Sequence, residues 1–433
     1  MNPKQTFCGS PAHRVDRRLF LQGGMTTALG VTLAGMGMPL DAAMAGAIAQ
    51  KKKHVILIWL AGGASQFETF DPKPGRPTGG PFKAIQTKVP GMQICELMPK
   101  IAQLTDKMAI VRSLDTKIGD HGGAADLVQI GRRPEPAVDY PDIGTILAKE
   151  LGQRDSQVPE YVSMYMATEG QPWGRPRSGF LGGRYAAMTL ERSLKPENLD
   201  LPAGMSAVDH AEREHYRKYL SDRFNRERSA PHVVGYNSTF ARVKGLMASD
   251  KLFDLEQEPA KVRERYGKTE FGQHCLVARR LIEAGTPVVK VSRAWWDTHS
   301  DNFESHRELV TELDHVMSTL IRDLEERGLL ESTLIVTLSE FGRTPSINKD
   351  LGRDHFASAW SFSMTGCGVK GGAVFGKTDP DGRTVKDGKV GAGEVAATIY
   401  NAMGISHEKK YYLGARPIPI APEHTQPIKD VLA

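Results

Sequence analysis

Apolar runs of strand length alternate along this chain with longer amphipathic segments, a pattern typical of an α/β fold. The run His54–Leu60 is apolar almost throughout, which suits a strand buried on both faces of a parallel sheet. The pattern also predicts strands over 108–112, 287–292, 332–339, 362–365 and 373–375, and helices over 99–105, 119–130, 271–283, 309–327 and 392–403. Charge-rich helical stretches without a motif, at about 191–268, indicate a helical insertion.

Polar residues follow two of the predicted strands at the point where each strand ends. Asp297 and His299 come after strand 287–292, while Glu340, and then Asp354 and His355, come after strand 332–339. A helix joins the two strands, and such a crossover implies that they are parallel. Open α/β sheets bind ligands outside the carboxyl ends of their strands. Carboxylates and imidazoles gathered at that edge suit a divalent metal ion.

Two more segments bring candidate residues to the same edge of the sheet. After the first strand, the turn Gly62–Ser65 lets backbone approach a ligand closely, and Glu68 and Asp71 follow it. His121 stands in a Gly-rich turn that opens the helix after strand 108–112. The N-terminus of that helix could attract an anion, or Asp120 could simply be its N-cap.

The N-terminus predicts where the protein works. Arg17 and Arg18 precede a Phe-Leu pair, a weakly apolar stretch and small residues that offer cleavage sites within 43–49. These features predict a twin-arginine (Tat) signal peptide over residues 1–49, with the Tat translocation machinery as a partner during export. The alternative is a membrane anchor, but the glycines and threonines make the stretch a poor spanning helix. We therefore expect a periplasmic or secreted protein with no permanent membrane anchor.

Composition bounds the mature part, residues 50–433. A content of 40% hydrophobic and 25% charged residues is ordinary for a globular protein, and the length suits one large α/β domain or two domains. The net charge of +5 comes partly from the signal and from the lysines at 51–53, so nothing indicates a nucleic-acid partner. Cys95, Cys275 and Cys367 are widely spaced, which leaves room for one disulfide but indicates no disulfide framework and no Cys-x-x-Cys zinc site.

The strands and their polar ends together resemble the alkaline phosphatase and sulfatase superfamily. More closely, the mature chain resembles the Tat-exported family called domain of unknown function 1501. The matching segments span nearly all of 54–405 and are 59–74, 111–113, 278–285, 296–299, 327–330, 339–345 and 352–355. The resemblance implies an alkaline-phosphatase-like three-layer αβα sandwich over residues 50–433, with a mostly parallel central sheet.

The superfamily pattern implies a role for His121. The segment Ile130–Pro134 resembles the Thr-Gly-Arg segment of sulfatases, in which the nucleophilic cysteine lies ten residues before the glycine. Counting back from Gly131 places His121 at the nucleophile's position. His121 could be a phosphoryl-accepting nucleophile, a metal ligand or a general acid/base.

The metal-binding pattern of the superfamily carries over with departures. Segment 296–299 resembles the one that supplies an Asp and a His, here spaced Asp-x-His, so Asp297 and His299 point the same way in an extended chain. Segment 353–355 resembles the final His segment. In segment 339–342 Glu340 replaces Asp and Phe341 replaces His, which removes one ligand and argues against a second metal.

Two further parts of the site follow from the same resemblance. Glu68 or Asp71 resembles the Asp after the first strand, so one of them is expected to be a ligand. Arg343 could hold an anionic substrate oxygen through a bidentate pair.

These residues together predict a metal-dependent enzyme. The expected metal ligands are Asp297, His299, His355, Glu340, Glu68, Asp71 and Asp354, with His121 and Arg343 as catalytic residues. The cofactor is expected to be a divalent ion (zinc, calcium or magnesium) and the substrate an anionic ester. We expect an exported hydrolase of sulfate or phosphate esters, and the alternative is a catalytically degenerate, metal-stabilised binding or scaffold protein.

Overall fold

The computed structural model describes residues 53–153, 156, 158–164, 173–190, 194–196, 201–228 and 250–433. The predicted signal peptide therefore lies outside the described residues. Within them, no helix is both long enough and apolar enough to cross a membrane.

The described residues form alternating strands and helices. The strands are β1 (His54–Leu60), β2 (Ala84–Gln86), β3 (Gln93–Cys95), β4 (Met108–Leu114), β5 (Tyr161–Met164), β6 (Met188–Leu190), β7 (Val288–Arg293), β8 (Thr333–Leu338), β9 (Gly342–Arg343), β10 (His355–Phe356), β11 (Trp360–Gly366), β12 (Ala373–Phe375), β13 (Lys377–Thr378), β14 (Val385–Asp387), β15 (Lys410–Leu413) and β16 (Arg416–Pro419). The α-helices are α1 (Pro99–Ala102), α2 (His121–Ile130), α3 (Ile143–Leu151), α4 (Ala207–Arg228), α5 (Ala260–Tyr266), α6 (Glu270–Glu283), α7 (Asn302–Glu326) and α8 (Ala392–Ala402).

Eight of the strands form one central sheet in the order β12-β4-β11-β8-β1-β7-β5-β6. β1 lies at its centre and pairs in parallel with β7 on one side and β8 on the other. β11 is antiparallel to both of its neighbours, whereas the other pairings are parallel. The predicted α/β fold with a mostly parallel central sheet is therefore confirmed.

The alternation of side chains along β1 explains the layers on either side of the sheet. Ile56 and Ile58 face a core that includes residues of α6 and α7, while Val55 and Trp59 face a second core built with α2, α3 and α8. Helices cover both faces, which is what a run apolar on both sides requires.

The parallel arrangement brings the carboxyl ends of β1, β4, β7 and β8 to one edge of the sheet. The turn after β1 contacts the segment after β7 there. A side chain at Gly62 (φ 116°) would place its Cβ 2.6 Å from the Asp297 backbone nitrogen, and one at Gly63 (φ 87°) would overlap the Phe341 ring. The glycines therefore allow the turn after β1 to pack closely against the segments that follow β7 and β8, as well as allowing a ligand to approach the backbone.

Several elements differ in length from the sequence-based expectation. α7 begins at Asn302, about two turns before Leu309. The apolar pattern does not show these first turns, because their buried positions include the polar residues Asn302 and His306. α1 ends at Ala102 and is followed by a separate 3-10 turn, Thr105–Lys107. The described part of the predicted insertion contains α4 and α5. Cys95, Cys275 and Cys367 are buried free thiols, so the disulfide that the sequence left open does not form.

Candidate metal centre

Three side chains that are distant in sequence bring ligand atoms within 4.8 Å of one another: His121, Asp297 and His355. His121 is the first residue of α2, Asp297 follows β7 and His355 begins β10. α2 starts at this place because the Asp120 carboxylate caps it, accepting a hydrogen bond of 2.7 Å from the Gly123 amide. The hairpin of β9 and β10 pairs His355 with Arg343 and so turns His355 back towards the sheet edge.

The Asp297 carboxylate lies at the centre of the cluster. Its Oδ2 is 3.1 Å from His121 Nε2, and its Oδ1 is 3.2 Å from His355 Nε2. His299 Nε2 is a further 3.1 Å neighbour of Oδ1, although His299 is 49% exposed. Three imidazole Nε2 atoms thus converge on one carboxylate.

The other ring nitrogen of each histidine has an acceptor. Nδ1 lies 2.9 Å from Glu340 Oε1 in His121, 2.8 Å from Asp354 Oδ1 in His299 and 2.7 Å from the Gly119 carbonyl in His355. A backbone carbonyl can only accept, so Nδ1 of His355 carries the proton and its Nε2 lone pair is free when the ring is neutral. Acceptors on Nδ1 are the usual support of histidines that bind metal through Nε2.

Charge holds the cluster together without an ion. Burial opposes the protonated form of His121, but its hydrogen bonds with Asp297 and Glu340 raise the pKa of its ring from 6.5 to about 9. Burial also opposes ionisation of Asp297, yet hydrogen bonds from His121 and His355 and the neighbouring Arg343 hold the pKa of this carboxyl well below its usual range. At neutral pH the protonated His121 ring therefore donates one N–H to Glu340 and the other to Asp297.

The donor set fits a transition-metal ion better than the harder cations. Three imidazole nitrogens and one carboxylate oxygen suit zinc and its neighbours, whereas calcium and magnesium prefer oxygen ligands. His299 and His355 Nε2 lie 3.0 Å apart, a contact between two lone pairs unless a proton or a cation lies between them. His121 is buried, Asp297 and His355 are partly buried and His299 is exposed, so the cluster opens to solvent on one side.

Two predicted ligands, Glu340 and Asp354, contact the histidines of the cluster and do not contribute to its centre. Glu340 supports His121 and also accepts a 2.7 Å hydrogen bond from the Gly62 amide. Asp354 supports His299 from the exposed side. Both act on histidine Nδ1 atoms, so the structure gives each an orienting position.

Arg343 is fully buried, with its guanidinium already used by protein acceptors. It donates to the carbonyls of Gly62, Gly63 and Arg353 and to the Asp297 carboxylate. This geometry contradicts the expectation that Arg343 grips a substrate oxygen, because no donor points to solvent. Its position is that of a support for Asp297.

Neither Glu68 nor Asp71 reaches the cluster, contrary to the expectation that one of them is a ligand. Glu68 is fully buried in an ion pair with Arg353, at 2.9 Å. Asp71 pairs with Lys73 at 2.8 Å and accepts a 2.6 Å hydrogen bond from Thr378. Both residues follow β1 at the correct edge, but the chain turns them towards other partners.

Aromatic rings close the buried side of the site. The Phe341 ring centroid lies 4.4 Å from that of His355 and 4.9 Å from that of His121. The Trp173 indole stacks on His121 at 4.4 Å and 12°. Sequence patterns gave no signal for Trp173, which lies in a Pro/Gly-rich segment outside any periodic run.

The chain is similar to a known family in sequence and to solved structures in fold. The family model described as "Protein of unknown function (DUF1501)" matches residues 52–432. The structure is similar to the PsFucS1 sulfatase from Pseudoalteromonas sp., with 14% identity, 83% of this chain and 69% of that chain covered, and a TM-score of 0.41. No curated protein matches the chain.

Two further solved structures show similarity of the same order. One is a protein in the alkaline phosphatase superfamily from Vibrio parahaemolyticus, with 11% identity, 82% and 67% of the two chains covered, and a TM-score of 0.38. The other is the C-terminal periplasmic domain of EcEptC from Escherichia coli in complex with Zn, with 9% identity, 89% and 96% covered, and a TM-score of 0.38. Similarity this low carries no activity across, so the chemistry has to be argued from the site itself.

Proposed function

The chain belongs to the DUF1501 family, and from that premise we propose that it is an exported, metal-dependent hydrolase of sulfate or phosphate esters. One observation carries the proposal: three histidine Nε2 atoms converge on the Asp297 carboxylate, and each histidine has an acceptor on Nδ1. An arrangement built only to stabilise the fold would not need three oriented imidazoles on one carboxylate beside solvent.

His121, Asp297 and His355 would hold the ion, with His299 completing the set from the exposed side. The donor types favour zinc or a similar ion over calcium or magnesium. When bound, such an ion supplies a Lewis acid for the ester and lowers the pKa of a water molecule. Glu340, the Gly119 carbonyl and Asp354 keep each imidazole oriented, and Arg343 keeps Asp297 in place.

The geometry favours a ligand role for His121 over a nucleophilic one. A nucleophile needs one ring nitrogen facing the substrate, but both nitrogens of His121 lie against carboxylates, and the ring stacks on Trp173. Water would then be the attacking group, which removes the need for a hydroxyl or thiol nucleophile.

The second candidate function is a metal-stabilised binding or scaffold protein. The hydroxyl of the residue before Glu340 favours it: Ser339 Oγ is buried and donates to the Leu60 carbonyl at 2.6 Å, so its proton is held by the backbone. Turnover separates the two functions, because the second predicts metal binding without hydrolysis.

The test measures metal content and turnover together. Protein loaded with Zn²⁺ is assayed on an aryl sulfate, an aryl phosphodiester and an aryl phosphate, alongside His355→Ala and His121→Ala. We expect turnover of at least one ester by the wild type, and loss of both bound metal and turnover in each variant. His315→Ala is the matched control, since His315 contacts Lys100 and not the cluster. A wild type that binds metal but hydrolyses none of the three esters would favour the binding protein.

The sequence motif supports export through the Tat pathway. The test replaces Arg17 and Arg18 with lysine, because that pathway recognises the arginine pair. The double variant should accumulate as uncleaved precursor in the cytoplasm, and normal export and processing of it would overturn the proposal.

A further inference from the structure

A short segment, Trp173–Arg177, crosses the buried side of the metal centre, and we call it the strap. Its first residue supplies the indole that lies nearly parallel to the His121 ring, 4.4 Å between centroids. Phe341 and His355 contact the same imidazole from other directions. The position of the strap therefore helps to fix the plane of a proposed ligand.

Lys290 anchors the start of the strap. It lies in the middle of β7, is only 2% exposed, and donates hydrogen bonds of 2.6 Å each to the Gly174 carbonyl and to Gln129 Oε1. Buried lysines are rare unless paired, because burying the charge is costly. Burial lowers the pKa of Lys290 from 10.5 to about 8, partly offset by the charges of Asp142 and Glu340, so the ammonium form still prevails at neutral pH.

The backbone at Gly174 packs directly on the sheet. Its φ is 83°, and a Cβ there would lie 2.7 Å from Trp59 Nε1, so a larger residue would lift the strap. Lys290 Nζ lies 4.7 Å from the centroid of the same tryptophan ring. The start of the strap is therefore held both by a charge-assisted hydrogen bond and by close packing.

Asp142 anchors the other end. Its Oδ2 accepts a 3.0 Å hydrogen bond from the Arg177 amide, and its own amide donates to the Arg177 carbonyl at 2.9 Å. Its Oδ1 meanwhile caps α3 through the Thr145 amide, at 2.6 Å. The strap is thus tied to the start of a helix at one end and to the centre of the sheet at the other.

We propose that Lys290 is a positioning residue of the metal centre, which holds the Trp173 indole against His121 through the Gly174 carbonyl. Lys290 has no contact of its own with the proposed ligands, so its effect has to pass through the strap. With the strap released, His121 gains freedom to turn and water gains access to its ring. Loss of an outer support of a metal ligand typically costs about 10- to 100-fold in affinity, and we expect faster release of the ion by the same factor.

This inference rests on the metal site of the proposed function, but not on hydrolysis. The test uses Lys290→Met, which keeps the apolar stem and removes the ammonium group. Two quantities are measured: the rate at which a chelator removes Zn²⁺, and the quenching of Trp173 fluorescence by acrylamide. The Trp173 signal is the difference between each protein and the same protein carrying Trp173→Phe, because the chain has five tryptophans.

We expect Lys290→Met to release Zn²⁺ about 10- to 100-fold faster and to expose Trp173 to the quencher. Trp173→Ala should release the ion equally fast, and the double variant should be no faster than Trp173→Ala alone, since both changes act through one contact. Additive effects, or a wild-type release rate in Lys290→Met, would overturn the proposal that Lys290 acts through the strap. A merely structural role would lower the melting temperature without changing ion release.

A second pair of variants covers the case in which Lys290→Met does not fold. Arg177→Pro removes the backbone N–H that donates a hydrogen bond to Asp142. Arg177→Ala is its matched control, because it keeps that N–H. Only the proline variant should speed ion release and expose Trp173, and equal behaviour of the two would contradict the inference. If the wild type binds no Zn²⁺, the proposed function fails, and quenching alone then decides whether the anchors hold Trp173.

Discussion

Zinc binding should weaken about tenfold for each pH unit below about 9, because a proton on His121 competes with the ion. The hydrogen bonds with Asp297 and Glu340 outweigh the effect of burial and raise the pKa of this ring to about 9. A ligand nitrogen must be deprotonated to bind metal. At pH 7 about one molecule in 100 would then carry a neutral His121, which costs about 2.7 kcal/mol of apparent affinity. A histidine with the ordinary pKa of 6.5 would cost almost nothing at that pH.

The assay is titration of the metal-free protein with chelator-buffered Zn²⁺ between about pH 7 and pH 10, in buffers of different ionisation enthalpy. We expect about one proton released per ion near pH 7 and almost none at the upper end of that range. Glu340→Gln removes one of the two carboxylates, so its affinity should level off at a lower pH. Glu423→Gln is the control, since the Glu423 side chain is 64% exposed and forms an ion pair with Lys410 at 3.5 Å. Constant affinity between about pH 7 and pH 9, without proton release, would refute the reasoning.

Three further predictions concern the supports of the site. The pKa of His121 is higher in the folded protein than the 6.5 of an unfolded chain, so its contribution to stability is complete below about pH 6.5 and is lost as the pH rises through about 9. The melting temperature of metal-free wild-type protein should fall between about pH 6.5 and pH 9, and His121→Phe should remove this fall. Arg343→Met should cost roughly 3–5 kcal/mol in urea denaturation, because it removes one cationic partner of Asp297 and leaves the carbonyls of Gly63 and Arg353 without their buried donor. Unchanged stability with only a raised KM would return Arg343 to a substrate-binding role. Glu68→Gln should leave the metal content unchanged while lowering stability, because its partner is Arg353, and loss of the ion in this variant would place Glu68 among the ligands.

The strand pattern was enough to predict which edge of the sheet carries the site. Asp297 and Glu340 lie within four residues of the ends of β7 and β8, and strands that are parallel end at one edge. The Gly-rich turn before α2 likewise placed His121 at that edge. Side-chain periodicity gives the extent and burial of each strand, and the helical crossover gives the relative direction of two strands, so together they fix where the strand ends lie.

The sequence could not predict how the loops continue beyond the strand ends. Glu68 and Asp71 follow β1 as Asp297 follows β7, although further along the chain, and long-range partners turn them to Arg353 and Thr378. Arg343 has the chemistry of an anion-binding residue, but the Gly62–Gly63 carbonyls occupy it. Such choices depend on contacts between distant segments, which no local pattern encodes.

Trp173 and Lys290 illustrate the same limit in different ways. Trp173 had no signal, because it lies in neither a strand nor a helix pattern. Lys290 did have one: a lysine inside the apolar run 287–292 has to find a partner when the strand is buried. That observation predicts a buried partner for the lysine, but only the fold shows that the partner is the strap.

His121, Asp297, His299 and His355 would together hold one metal ion through the three Nε2 atoms and the carboxylate. A crystal of the protein grown with Zn²⁺, measured on both sides of the zinc absorption edge, tests this most directly. We predict a single anomalous peak among these four residues, at about 2.0–2.2 Å from its ligand atoms. A peak at any other place, or no peak at this cluster, would contradict this metal site.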